Sequence, residues 1–145
     1  MRDTATTSTI IRNSQSSTAQ FNTLCALALM DVLESRYPVV EGQPRRLTRR
    51  DTEAYNVARD LHSVGIAPRR IGAILSKEAI SLISRELRFG ANYLVVYPDK
   101  SISTFHSIEN STADKRSGQF PTITLDLADI RMRVERAILD AEGGV

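Results

Sequence analysis

Between Gly65 and Gly90 the backbone is punctuated four times in 26 residues, and that spacing limits the folds open to the chain. Gly65 can stop one helix, Pro68 suits the first turn of the next, Ser76 can cap a third, and Phe89-Gly90 can end it. Ile71, Ile74 and Leu75 would face inward from the first short helix, and Ala79, Ile80, Ile83 and Leu87 from the second. The pattern then changes. Tyr93 to Tyr97 is a β-branched and aromatic run, Pro98–Ser101 a turn, and Ile102–Phe105 a returning strand. A longer helix, two short ones and a hairpin suggest a helix-turn-helix with a wing. The same residues also suit one continuous core helix from Pro68 to Arg88. Lys77 stands where a helix-turn-helix usually has an apolar turn residue, so both readings stay open. The hairpin could equally be a wing or pair across a dimer.

The flanks frame this centre. Residues 1–16 are Ser/Thr-rich and are expected to form a flexible tail, with 17–145 a single regulatory domain. Ser17 or Thr18 can cap a helix from Ala19 to Arg36, stopped by Pro38. Phe21, Leu24, Cys25, Leu27, Ala28 and Val32, widened by Leu29, Met30 and Leu33, form an apolar arc broader than one neighbouring helix would cover. An intertwined dimer or a deep bundle core would bury it, which makes Phe21, Leu24 and Leu27 candidates for a dimer or partner interface. Cys25 within the arc reads as a small buried hydrophobe.

Thr48, with Asp51 three places on, opens a second helix whose apolar face is Ala54, Val57, Ala58, Leu61 and Val64. Arg45, Arg46, Arg49 and Arg50 cluster at its start, the wrong end for the helix dipole. Phosphate contact or plain solubility would explain them. After a polar loop from Ile108 to Pro121 and a strand from Thr122 to Leu125, Asp126 can cap a final helix. Its inner face is Leu127, Ile130, Val134, Ala137, Ile138 and Ala141, of which Ile130, Val134 and Ile138 could face a partner or the core. Arg131, Glu135 and Arg136 read as solvated charges. The expected class is α+β, mainly α: a helical bundle with a helix-turn-helix-like pair, a β-hairpin and a C-terminal helix.

Charge is unevenly placed. From Arg36 to Arg88 eleven Lys/Arg face six Asp/Glu (11 − 6 = +5), whereas from Phe120 onward three face five (3 − 5 = −2). Opposite potentials on two surfaces, with nucleic acid on the basic one, would follow. A single cysteine excludes an intrachain disulfide and a zinc site built on two or more cysteines. No apolar run is long enough for a membrane helix, and a reducing cytoplasm is the default. The sequence holds no glycine-rich phosphate loop or dinucleotide fingerprint. His62 and His106 stand apart from other metal-ligating residues. A non-enzymatic protein without cofactor or metal is therefore expected.

The stretch from Leu61 to Phe105 resembles the FlhD family, the D subunit of the bacterial FlhDC transcription activator. The residues that carry it are the Ser63-Val64-Gly65-Ile66 break, the LSKEAISLI helix pair (Leu75–Ile83), the Asn92-Tyr93-Leu94-Val95 run, and the spacing to Pro98–Ser101 and Ile102–Phe105. The resemblance covers about a third of the chain. It implies a homodimer of intertwined helices that joins an FlhC-type zinc-binding subunit on promoter DNA, with RNA polymerase a further partner, as in the flagellar master regulator or its relatives on conjugative elements. The family's interchain cysteine would fall near Val96, so a disulfide-linked dimer is not implied. The basic linker Pro44–Arg50 and the N-terminal extension also depart from the family. Candidate DNA-binding residues, read from the charge pattern, are Arg45, Arg46, Arg49, Arg50, Arg69, Arg70, Lys77 and Arg85. A stand-alone winged helix-turn-helix repressor, with Lys77, Ser81 and Arg85 at base edges, is the alternative. A further one is an antiactivator that touches no DNA.

Overall fold

A computed structural model describes residues 3–34, 45–106 and 123–143. The helix stop at Pro38 and the polar loop from Ile108 to Pro121 lie outside the described residues. The fold is α+β and mainly helical, with six helices and two small antiparallel sheets among those residues. In chain order the elements are β1 (Thr4–Thr6), α1 (Thr7–Ser14), α2 (Thr18–Leu27), β2 (Arg46–Thr48), α3 (Arg49–Ser63), α4 (Pro68–Ile74), α5 (Lys77–Arg88), β3 (Tyr93–Val96), β4 (Ile102–Phe105), β5 (Ile123–Asp126) and α6 (Leu127–Glu142).

The N-terminal segment corrects the expectation of a flexible tail. β1 pairs with β2, Thr4 opposite Thr48 and Ala5 opposite Leu47, and α1 follows directly. Thr6 and Thr9 cap α1 reciprocally: Thr6 Oγ1 accepts from the Thr9 amide at 3.3 Å, and Thr9 Oγ1 from the Thr6 amide at 3.1 Å. Ala5 and Ile10 are fully buried. The Ser/Thr content that suggested disorder supplies caps, and one isoleucine supplies the anchor.

Ser17 caps α2 as expected, but the helix ends at Leu27 instead of running to Arg36. Ala28, Leu29 and Leu33 stay buried in the turns that follow. The wide apolar arc is thus shared between a helix and a turn, which point its residues in directions one helix could not reach. Gly72 of α4 presses on this end: a Cβ there would lie 3.2 Å from the Ala28 carbonyl and 3.3 Å from that of Leu27. A larger residue would push α4 off α2.

α3 begins at its Thr48 cap, whose hydroxyl accepts from the Asp51 amide, and closes at Gly65 with φ +98°. It is the axis of the molecule. Every residue from Asp51 to Ala58 is buried, polar ones included, while α2, α4, α5, α6 and both β1 and β2 pack around it. Tyr55 is fully buried against Phe21, ring centroids 4.9 Å apart, and its hydroxyl donates to Ser16 Oγ at 2.7 Å.

α4 and α5 are two helices, not one. Leu75 and Ser76 form the turn, and Ser76 Oγ caps α5 by accepting from the Ala79 amide. Leu75 itself is fully buried, so the turn's apolar plug precedes the cap and Lys77 is left in solvent. In the second sheet β3 lies between β4 and β5, Tyr93 opposite Phe105 on one side and Asp126 on the other. The hairpin is therefore not a free wing: its inner strand is the middle of a sheet that feeds α6.

The interface expectation for Phe21, Leu24, Ile130, Val134 and Ile138 is corrected as well. All five are buried in the chain's own core, against α3 and its neighbours, and Leu27 alone of that set is exposed, at 45%. Cys25 lies in the same core, and burial pushes its thiol up to about 11.

Ile10→Ala should cost about 2–5 kcal/mol in urea unfolding, whereas a residue in a free tail would cost almost nothing. Cys25 should react with a thiol reagent only in denaturant; rapid labelling of the native protein would contradict its burial.

Candidate nucleic-acid interface

The arginines that cluster in sequence at the start of α3 do not share one set of partners, although Arg49 and Arg50 border the same groove. Successive helical residues point about 100° apart, and that rotation separates Arg49 from Arg50. Arg49 turns toward β1 and α6, where it binds Asp3 at 2.8–2.9 Å and also Glu135. The Asp3 hydrogen bond, against the cost of burial and aided by Glu135, holds its guanidinium more firmly charged. Its donors are committed within the chain, so Arg49 is removed from the phosphate-contacting set. Arg46, in β2, donates to Thr4 Oγ1 at 3.2 Å, and Arg45 is half-buried just before the strand.

Arg50 turns the other way. Its Nη2 donates to Ser81 Oγ at 2.7 Å, with Glu34 4.0 Å away, and its Nε is buried without a hydrogen-bond partner. Arg50 thereby ties the first turn of α3 to the outer face of α5. That face carries Lys77, Ser81, Arg85 and Arg88, spaced so that all four project on one side. Ile80, Ile83, Ser84 and Leu87 form the buried side. Arg85 is exposed beside Glu86 at 3.6 Å. The side chains of Arg69, Arg70, Lys77 and Arg88 make no hydrogen bond or ion pair among the described residues.

Between the start of α3 and α5 runs an open groove of about 470 Å³, bordered by Asp3, Glu34, Arg49, Arg50, Ser81, Arg85, Arg88 and Phe89. Four guanidiniums against two carboxylates make it an anion-attracting cleft. Arg88 and Phe89 escaped the residue-by-residue reading of charge. The sequence does carry a signal for Arg88, which extends the Lys77–Ser81–Arg85 spacing by three, whereas Phe89 marks only a helix end in sequence.

Beneath the groove Glu53 is buried and accepts from Ser84 Oγ at 2.7 Å, joining α3 to α5. Burial raises its carboxyl above the usual glutamate range, more than the Ser84 hydrogen bond and the nearby Arg49 and Arg88 lower it. Asp3 is shifted the other way, down, by its hydrogen bond from Arg49. Arg131 is no ordinary solvated charge: it donates to the carbonyls of Leu87 at 2.9 Å and Ala91 at 2.8 Å, capping the C-terminal end of α5. Glu135 is equally engaged, on Arg49.

His62 meets Gln20 Nε2 through Nδ1 at 3.0 Å, and His106 is exposed and separate. No cluster of three or more metal-ligating side chains occurs among the described residues, and none of their helices is long and apolar enough to cross a membrane. No family model, curated protein or solved structure matches the chain.

A buried carboxyl with a raised native pKa loses stability as pH climbs from 4.5, its ordinary value, through the raised one. Glu53→Gln should therefore raise the Tm at pH 7 relative to wild type, the difference closing near pH 4.5, where Asp3 remains charged. A lower Tm for the variant at pH 7 would show that the charge is stabilising there.

Proposed function

We propose that the chain is a DNA-associated transcription regulator, a binding protein rather than an enzyme, that meets nucleic acid through α4 and α5. One observation carries the reading: Lys77, Ser81, Arg85 and Arg88 project from one face of α5, with Arg50 braced on Ser81, while Asp3 and Glu135 are taken up by Arg49. Arg69 and Arg70, exposed in the first turn of α4, add two further cations. Such residues bind phosphates whatever the base sequence, releasing counterions. They position a protein on nucleic acid before any base is read.

The FlhD-like pattern extends the reading to an activator subunit that works in the cytoplasm as a homodimer with an FlhC-type subunit and RNA polymerase. Leu27 and Met30, exposed at 45% and 65% at and just past the end of α2, are apolar residues suited to partner contact.

Binding to duplex DNA, measured by fluorescence anisotropy from low to moderate salt with and without a co-purified partner, tests the reading. Arg85→Ala and Arg88→Ala should each lower the slope of log affinity against log salt by about one. Arg49→Ala should leave the slope unchanged, since its charge is already neutralised. Absence of any binding at low salt, alone and with partner, would refute the proposal.

A further inference from the structure

Phe89 is the one aromatic among the exposed large hydrophobic side chains of the described residues, with 72% of its surface in solvent. It caps the C-terminus of α5 and borders the same groove as Arg50, Ser81, Arg85 and Arg88. An uncovered phenyl ring among guanidiniums has the two elements that hold a nucleotide: a flat apolar face for a base, and cations for its phosphate. A duplex offers no such base, because its bases are stacked on one another. Arg50 also lies across Ser81, in the middle of the face that a helix inserted into a major groove would keep free. A cleft of about 470 Å³ has the size of a small-ligand site.

We propose that this groove takes an unpaired nucleotide of a single-stranded or locally opened nucleic acid. The base stacks on Phe89, and the phosphates flanking it lie against Arg85, Arg88 and Arg50. The inference rests on the nucleic-acid reading above and narrows it from duplex to strand.

The chain contains no tryptophan, so Phe89→Trp places a single reporter in the groove. Wild type, Phe89→Ala and Phe89→Trp are titrated with a single-stranded oligonucleotide, the same sequence as a duplex, and a 5′-mononucleotide. The ring is exposed, and an unchanged Tm for each variant establishes that the fold is kept. Phe89→Ala should weaken single-strand binding roughly ten-fold or more while leaving duplex affinity alone. Phe89→Trp should keep the wild-type affinity, and the oligonucleotide should quench its fluorescence. Unchanged single-strand affinity in Phe89→Ala, equal losses on strand and duplex, or an unquenched tryptophan would overturn the inference. So would mononucleotide binding as tight as that of the oligonucleotide. If duplex binds with no preference for the strand, this inference falls and the regulator reading stands. If neither polymer binds, both fall.

Discussion

Helix α3 is enclosed on every side, and the rest of the molecule depends on how its polar residues are satisfied. A helix hydrophobic all round can simply be buried. α3 instead carries Asp51, Thr52, Glu53, Tyr55 and Asn56 into the core, and each unsatisfied polar group there would cost about 1–3 kcal/mol. Each has a partner from a different direction. Asp51 accepts from the Glu34 amide, Glu53 from Ser84, and Asn56 from Arg133, while Tyr55 donates to Ser16 and Thr52 to the Thr48 carbonyl. These bonds fix the end of the α2 segment, α5, α6 and the α1–α2 turn relative to one axis.

The same geometry sorts the charges. One ion pair, Glu135 with Arg49, joins the acidic end of the chain to its basic middle, while Asp140 meets Arg12 near the N-terminus and Asp129 meets Arg133 within α6 itself. Exposed pairs of this kind contribute only about 0.2–1 kcal/mol each. Their larger consequence is selective, because they neutralise arginines on the α6 side, whereas on α5 Arg85 meets its neighbour Glu86 and Arg88 makes no ion pair among the described residues. A groove with an arginine excess results, and its floor is the buried Glu53–Ser84 bond.

Local punctuation was legible wherever its chemistry is local. Thr48, Ser76 and Asp126 cap the helices expected of them, and the turn after Tyr97 and the inner face of α6 fall where spacing places them. The misreadings share a cause: the deciding partner is distant in sequence. Residues 4–14 resemble a tail until Leu47 and its neighbours supply a strand partner some forty positions away. The long first helix ignored α4, whose Gly72 packs on its end. Of the two ways to bury the widest apolar faces, a dimer or a bundle core, the fold takes the second, because a helix buried on all sides covers that much surface.

From the sequence alone came the order of elements from α3 to α6, the caps that allow a break at Leu75–Ser76, the central hairpin and the concentration of cations between Arg45 and Arg88. Caps, turns and periodicities act over a few residues, so the residues themselves carry them. Which cations remain free was decided only by the tertiary structure. Adjacent residues Arg49 and Arg50 diverge because a helix rotates by about 100° per residue. One meets Asp3 and Glu135 from opposite ends of the chain, and the other meets Ser81 across the groove. The exposed ring of Phe89 acquired significance in the same way, through the arginines that the fold brought around it.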